Sequence, residues 1–280
     1  TEIGEQAARW GCRVTRDASM AAATSFRIGG PAELRLDLPD ESAAQAVLAA
    51  CHRQGVTPFF LGNGSDLLVG DRGIRGVVIQ TQKEMQQIRT EGNVIRAQAG
   101  ALLSKIAAEA LANGLTGFEF AAGIPGTLGG ACVMNAGAYG GEMKQVLREV
   151  TLLDASGMLC RMKTDELELG YRTSRIAKEG YIVLEAAIEL EKGNPTSIRQ
   201  TMDELKNRRV EKQPLEYPSA GSTFKRPEGY FAGKLIEDAG LRGFSVGGAQ
   251  VSEKHCGFVI NKEKATSADI LELIEKVAEI

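Results

Sequence analysis

Apolar and polar residues alternate over Ala32–Leu38, and the alternation stops at Pro39. A period of two is the mark of a strand with one buried face. The period then changes: over Asp40–Gln54 the apolar positions Ala43, Ala46, Val47 and Ala50 recur at helical spacing, and Gly55 follows as a C-terminal stop. Pro58–Leu61 and Val77–Ile79 read as short apolar strands. The pattern repeats with a strand at Asn93–Ala99 and a helix at Leu102–Asn113, closed by Gly114. Glu149–Leu153 and Met158–Met162 flank Ala155-Ser156-Gly157 as hairpin strands, and Tyr181–Leu190 is a further strand. Glu191–Pro195 has the composition of a linker. Beyond it, Thr196–Glu211 predicts a charged helix with Ile198, Met202 and Leu205 on one side. Tyr230–Ala239 predicts a helix and Cys256–Asn261 a strand. Ser267–Ile280 predicts a last helix, capped at Ser267, with Ile270, Leu271, Ile274 and Val277 apolar. No stop signal precedes Ile280, so the expectation is a chain cut inside or just after that helix. Thr1 stands where an initiator Met would, so a few leading residues are also expected to be absent.

Between these elements lie stretches too poor in large side chains to build core. Ala121–Gly141 carries seven glycines. Glycine admits unusual dihedrals and lets backbone approach another group closely. Gly62-Asn63-Gly64-Ser65-Asp66 is a second such loop. It lacks the third glycine of a dinucleotide fingerprint, where Leu67 stands, and the G-K-[ST] of a P-loop. Its amides and the Ser65 hydroxyl suit either a plain turn or a concave nest for an anion. Gly126, Gly129 and Gly130 give the longer loop the same choice between a structural crossover and a ligand loop. Two such loops, each after a strand, favour a large dinucleotide cofactor. Arg172, within Tyr171-Arg172-Thr173-Ser174, reads either as a solvated residue or as a positioned guanidinium. Ser222, in a Gly-Ser-Thr turn before Phe224-Lys225-Arg226-Pro227, reads first as a turn serine.

Composition narrows the class. The chain has 280 residues, 43% hydrophobic and 25% charged, room for two or three ordinary domains. A net charge of −3 does not suggest nucleic acid or a membrane surface as partner. No apolar run nears the roughly 18 residues of a membrane span, and no signal peptide opens the chain. Cys12, Cys51, Cys132, Cys160 and Cys256 are odd in number and widely spaced, the pattern of reduced thiols rather than zinc or disulfides. His52 and His255 are the only histidines, so no metal centre is expected.

The order of TSFRIGG, GNGSDLLV, GIPGTLGGACVMNAGAYGG, YRTSR, GSTFKRP and AGLRGFSVGGAQVS, from Thr24 to Asn261, resembles the bacterial UDP-N-acetylenolpyruvoylglucosamine reductases. The direct step from YRTSR to Tyr181 resembles the shorter subclass, without an extra tyrosine-bearing loop. The resemblance implies an α+β fold. In it a two-subdomain FAD-binding module of the PCMH (vanillyl-alcohol-oxidase-like) type is joined to a smaller α+β substrate domain. The expected boundaries are 1–81 and 82–193 for the FAD-binding subdomains and 194–280 for the substrate domain, which would close over the flavin. It implies bound FAD, NADPH as hydride donor, and reduction of UDP-N-acetylglucosamine enolpyruvate to UDP-N-acetylmuramate in peptidoglycan precursor synthesis. A cytoplasmic monomer is expected, without nucleic-acid or membrane partners. Two other readings stay open: an oxidase of small alcohols on the same cofactor-binding architecture, and a nucleotide-binding module without turnover.

Residue by residue, the resemblance places Leu61, Gly62, Asn63, Gly64, Ser65 and Asp66 on FAD. Asp66 would act through backbone, since its carboxylate would repel phosphate. It adds Ala122, Gly123, Ile124, Pro125, Gly126 and Thr127, then Gly129, Gly130 and Ala131, then Asn135, Ala136 and Gly137. Arg172 matches the family's arginine and Ser222 its serine proton donor. Tyr139, Lys212, Arg226, Arg242 and His255 match substrate contacts. The family's glutamate near the C-terminus, beyond the helix that starts near Ser267, has no counterpart up to Ile280. Glu275 and Glu279 lie in the helix pattern and are not assigned to it.

Overall fold

A computed structural model describes residues 2–280. The helix and strand periods seen in the sequence become real elements, with ends moved by up to three residues. The first long helix is Glu41–Arg53, and the Asp40 carboxylate caps it by accepting the Ala43 N–H at 2.8 Å. The expected strands around it are Pro31–Asp37, Phe59–Leu61 and Ile74–Gln80. With Arg13–Ser19 they form a four-stranded sheet in the order Arg13–Ser19, Pro31–Asp37, Ile74–Gln80, Phe59–Leu61. Phe59–Leu61 runs parallel to Val78–Gln80.

The structure resolves into two compact units, and both are discontinuous in sequence. The first comprises residues 1–16, 34–63 and 76–207; the second comprises 17–33, 64–75 and 208–280. Residues 17–33 and 64–75 fold with the C-terminal segment.

The first unit has two apolar cores. One gathers Leu34, Leu36, Val47, Leu48, Val77 and Ile79 between the sheet and the helix Glu41–Arg53, with Ile3 and Ala7 of the N-terminal helix Glu2–Arg9. The other lies against a five-stranded antiparallel sheet. Its order is Leu159–Lys163, Leu147–Leu153, Ile182–Glu189, Val94–Gln98, Ile88–Glu91. The hairpin expected at Ala155–Gly157 is there, with Asp154 accepting from the Ser156 N–H at 2.8 Å and Gly157 at φ 88°. Leu103, Ile106 and Ala110 of the helix Leu103–Ala112 pack into this core, as do Leu128, Ala131 and Cys132. Burial pushes the Cys132 thiol up to about 12, which leaves it a small hydrophobe.

Three expectations are corrected. The glycine-rich stretch contains a helix, Leu128–Met134, because its small residues fit against the sheet where larger ones would not. A Cβ on Gly129 would stand 3.1 Å from that of Ala99. The expected linker pairs as a strand: Glu191 lies opposite Thr116 and Lys192 opposite Leu115. The last helix is capped by Thr266 rather than Ser267, in a capping box with Asp269.

The second unit carries a four-stranded antiparallel sheet in the order Ser219–Ser222, Phe258–Asn261, Ala249–Val251, Ser245–Val246. Its helices Ala232–Asp238 and Ser267–Glu279 bury Ile236, Ile270, Leu273 and Val277 with Phe26 and Ile28. Asp71 fixes the last helix to this unit. Its carboxylate accepts the N–H groups of Ser267 and Ala268, and Ser267 Oγ accepts the Asp71 N–H. The Ser267 N–H holds the Asp71 carboxyl below its usual range.

Among the described residues no helix is long and apolar enough to cross a membrane.

Candidate active site

The first unit brings both glycine loops together. Phe59–Leu61 ends at Gly62, whose carbonyl accepts from Gln80 Nε2 at 3.1 Å. Asn63 Nδ2 donates to the Pro125 carbonyl at 2.7 Å, joining positions 62 apart. Gly62 lies so near Thr127 that an added Cβ would be 2.3 Å from its Oγ1. That hydroxyl oxygen is buried with no hydrogen-bond partner among the described residues, as is Gln80 Oε1. Bare backbone beside unsatisfied polar atoms suits a polar ligand lying against these loops. The residues present therefore fit FAD. Leu61, Gly62, Asn63 and Ala122–Thr127 would hold it, beside Gly129, Gly130 and Ala131.

Gly64, Ser65 and Asp66 lie in the second unit. Gly64 has φ 60°, and a Cβ there would be 2.3 Å from the Ala23 carbonyl oxygen, so only glycine fits. Its own carbonyl accepts the Ser25 N–H at 3.0 Å, and Ser25 Oγ donates to the Ser219 carbonyl at 2.7 Å. Asp66 is exposed.

Asn135 plays a part the sequence did not reveal. It is buried, with left-handed backbone (φ 44°). Its Nδ2 donates to Glu142 Oε2 and the Gly170 carbonyl, and its Oδ1 accepts the Lys144 N–H. The side chain is thus committed to protein, leaving backbone for any ligand. Ala136 donates its N–H to Ala131, and Gly137 pairs with Glu142 in a short ladder whose turn holds exposed Tyr139 at φ 53°.

The Gly170 bond matters because it anchors Arg172. Gly170 and Thr173 exchange both backbone hydrogen bonds, leaving Tyr171 and Arg172 at the tip of a tight turn. Asn135 holds the Gly170 end. At the other end, fully buried Ser174 donates Oγ–H to the Val133 carbonyl at 2.6 Å and caps the helix Arg175–Glu179 by accepting the Ala177 N–H. Both anchors reach the segment that contains Leu128–Met134. Arg172 is exposed, has left-handed backbone (φ 55°), and holds its guanidinium carbon 5.7 Å from the Tyr171 ring centroid. Ser174→Ala is expected to lower unfolding stability by about 1–2 kcal/mol, through loss of a cap and an unsatisfied buried carbonyl. Thermal unfolding of the variant checks this, and an unchanged midpoint would remove Ser174 as the anchor.

In the second unit Ser222 ends its strand opposite Phe258, just after Gly221 at φ 80°. Thr223 is pinned beside it: its N–H donates to Gly257 O, and its Oγ1 accepts the Val259 N–H. Ser222 itself is exposed. His255 is nearby in the same fold. Its Nδ1 accepts the Gly257 N–H at 3.1 Å, which assigns the ring proton to Nε2. Burial holds the imidazole below its usual pKa, so it is a neutral donor rather than a cation near neutral pH. The Arg226 guanidinium stacks on Phe231, 3.9 Å from the ring centroid. Arg242 donates to the Glu253 carbonyl and to Glu237 Oε1 at 2.6 Å. Lys212 is exposed at the end of the helix Pro195–Lys212. Among the described residues, no group of three or more His, Cys, Asp or Glu side chains could hold a metal.

Comparison with known proteins bears on both units. Residues 37–163 match the FAD binding domain family, and residues 213–280 match the UDP-N-acetylenolpyruvoylglucosamine reductase C-terminal domain. The chain is 54% identical over 264 residues to the UDP-N-acetylenolpyruvoylglucosamine reductase of Clostridium perfringens (strain SM101 / Type A), covering 94% of this chain and 86% of that protein. It is 55% identical over 258 residues to that of Caldanaerobacter subterraneus subsp. tengcongensis, covering 92% and 85%. The crystal structure of the reductase from Thermus caldophilus superposes with a TM-score of 0.84 at 34% identity, covering 96% of this chain and 94% of that one. Glucooligosaccharide oxidase from Acremonium strictum shares the fold alone, with a TM-score of 0.54 at 16% identity over 69% of this chain and 43% of that one. The fold is α+β with an FAD-binding module of the PCMH type, and the chain belongs to the UDP-N-acetylenolpyruvoylglucosamine reductase family.

Proposed function

We propose that this FAD-dependent oxidoreductase reduces UDP-N-acetylglucosamine enolpyruvate to UDP-N-acetylmuramate with NADPH, using Arg172 and Ser222 as its catalytic side chains. The observation that carries the roles is the Arg172 turn, held at both ends by Asn135 and Ser174. FAD, held by the residues of the two glycine loops, would supply the hydride chemistry between NADPH and the enolpyruvyl double bond. Addition beside a carboxylate builds enolate-like negative charge. A guanidinium fixed in place stabilises charge that develops in the transition state. The carbanion carbon then needs a proton, and Ser222 Oγ–H is its donor. A serine hydroxyl is a weak acid, but an enolate is a strong enough base to take its proton.

The proposed donors for the substrate's two phosphates are Tyr139, Lys212, Arg226, Arg242 and His255, the last through Nε2–H. The proposed division of labour keeps 1–81 and 82–193 for the cofactor and 194–280 for the substrate. The protein is proposed to act as a cytoplasmic monomer without nucleic-acid or membrane partners. Its product feeds peptidoglycan synthesis and, through it, cell shape and division.

Anaerobic flavin absorbance tests the reaction. NADPH is expected to bleach the holoenzyme, and UDP-N-acetylglucosamine enolpyruvate to restore the colour. Bleaching without recovery would sink the proposed substrate. Phe231 adds a specificity test, since its ring lies under the Arg226 guanidinium, 3.9 Å from the ring centroid to the guanidinium carbon. Phe231→Leu is expected to raise KM for the substrate about 2–5-fold with kcat nearly unchanged, from a stacking energy of roughly 0.5–1 kcal/mol. Phe231→Tyr should keep the wild-type KM. An unchanged KM in Phe231→Leu would detach the stack from substrate binding.

A further inference from the structure

The second unit contains a cavity of about 410 Å³ that the proposed reaction does not use. Arg27, Lys262 and Lys264 line it, with Tyr217, Pro218 and Asn261 between them. No carboxylate lines it among the described residues. Strand pairing fixes its place. Ser222 lies opposite Phe258, while Ser219 lies opposite Ile260. Tyr217 and Pro218 precede Ser219, while Asn261 ends the partner strand and Lys262 follows it. The cavity therefore sits at the end of the sheet away from Ser222 and His255.

The three cations are placed there by built structure. Asn261 Nδ2 donates to the Phe26 carbonyl at 3.1 Å, and its Oδ1 accepts the Ala265 N–H at 2.8 Å. One buried side chain thus clamps the residue before Arg27 and the residue after Lys264 to the same strand end. Arg27 and Lys264 both have left-handed backbone, at φ 55° and 49°. That region disfavours L side chains other than Asn and Asp, so neither conformation is what a bulky cation would choose by itself. Lys262 is fixed by Tyr217: its Nζ lies 2.6 Å from the phenol oxygen and 4.2 Å from the ring centroid. An ammonium has three donors, and the phenol takes one. Neither the Arg27 guanidinium nor the Lys264 ammonium has a carboxylate partner among the described residues.

A planar guanidinium fork beside two ammonium groups matches a tetrahedral oxyanion of high charge. The cavity opens widely to solvent and is larger than the anion alone, which leaves room for the group that carries it. The geometry points to a second ligand site, for a phosphate dianion carried on a small molecule, separate from the proposed reaction site.

The test is thermal unfolding of the FAD-loaded enzyme, titrated with inorganic phosphate against chloride at matched ionic strength. Phosphate is expected to raise the midpoint saturably and chloride not to. Arg27→Gln combined with Lys264→Gln should abolish the rise while flavin content and turnover stay at wild-type values. Lys264→Gly guards against a folding defect, since glycine takes this backbone conformation freely. It should weaken phosphate by about tenfold, the equivalent of one charge-assisted hydrogen bond. A phosphomonoester binding more tightly than inorganic phosphate would assign the site to a carried group, and the reverse to the free ion. An equal rise with chloride would overturn the proposal. So would a phosphate response that survives in the Arg27/Lys264 variants and disappears in Arg226→Gln.

Discussion

Ser222→Ala is expected to separate the two half-reactions: NADPH bleaches the flavin at the wild-type rate, and substrate fails to restore its colour. Positioned proton transfer contributes about 10²–10⁴-fold, so turnover should fall by that factor. The separation follows from where the hydroxyl acts, since hydride transfer from NADPH has no use for a proton on the substrate carbon. The fold should not notice the change. Ser222 is exposed, and the adjoining backbone is held by Thr223 and Gly257 rather than by its side chain. Ser222→Cys replaces the hydroxyl by a thiol, a stronger acid with pKa about 8.5, and should retain part of the activity. Stopped-flow absorbance under nitrogen reads both steps on one sample. Equal loss of both half-reactions would remove Ser222 from the role of proton donor.

What the sequence made legible follows physical lines. Glu41–Arg53, Leu103–Ala112 and Ser267–Glu279 carry large apolar residues at helical spacing, and each was visible within a residue or two. Leu128–Met134 was not, because its buried face includes Gly129 and Ala131, which bring backbone rather than a large apolar stripe against the sheet. Glu191–Lys192 reads as linker because its two residues are polar and exposed, and only the partner strand Leu115–Thr116 makes them a ladder. The motifs themselves were readable, but only as a set. GNGSD alone left turn and nest undecided. What placed Gly62 against Thr127 is a contact between loops 65 positions apart, and no local pattern encodes it. The anchors of Arg172 were hidden for the same reason. Asn135 and Gly170 are 35 positions apart, and Val133 and Ser174 are 41. The compact units escaped because residues 17–33 and 64–75 join partners more than 130 positions away, through such bonds as Asp71 to Ser267.

Arg172 allows stability and activity to be pulled apart. Left-handed backbone costs a residue with a side chain roughly 1–2 kcal/mol, and glycine avoids most of that while losing about 0.5–1 kcal/mol of chain entropy. Arg172→Gly should therefore be more stable than Arg172→Ala, by about 1 kcal/mol or less. Both variants lose the guanidinium. Removing one fixed donor from developing negative charge costs about 10²–10³-fold, so both should show that loss in reoxidation by substrate, with bleaching by NADPH unchanged. Arg172→Lys keeps the charge but not the planar fork, and should fall between them and the wild type. Thermal unfolding and anaerobic reoxidation on the three variants decide the matter. If activity followed stability across the series, Arg172 would be a turn residue and no more. If Arg172→Gly folds best and still fails at reoxidation, the strained backbone serves the chemistry of its side chain, as strain at functional sites often does.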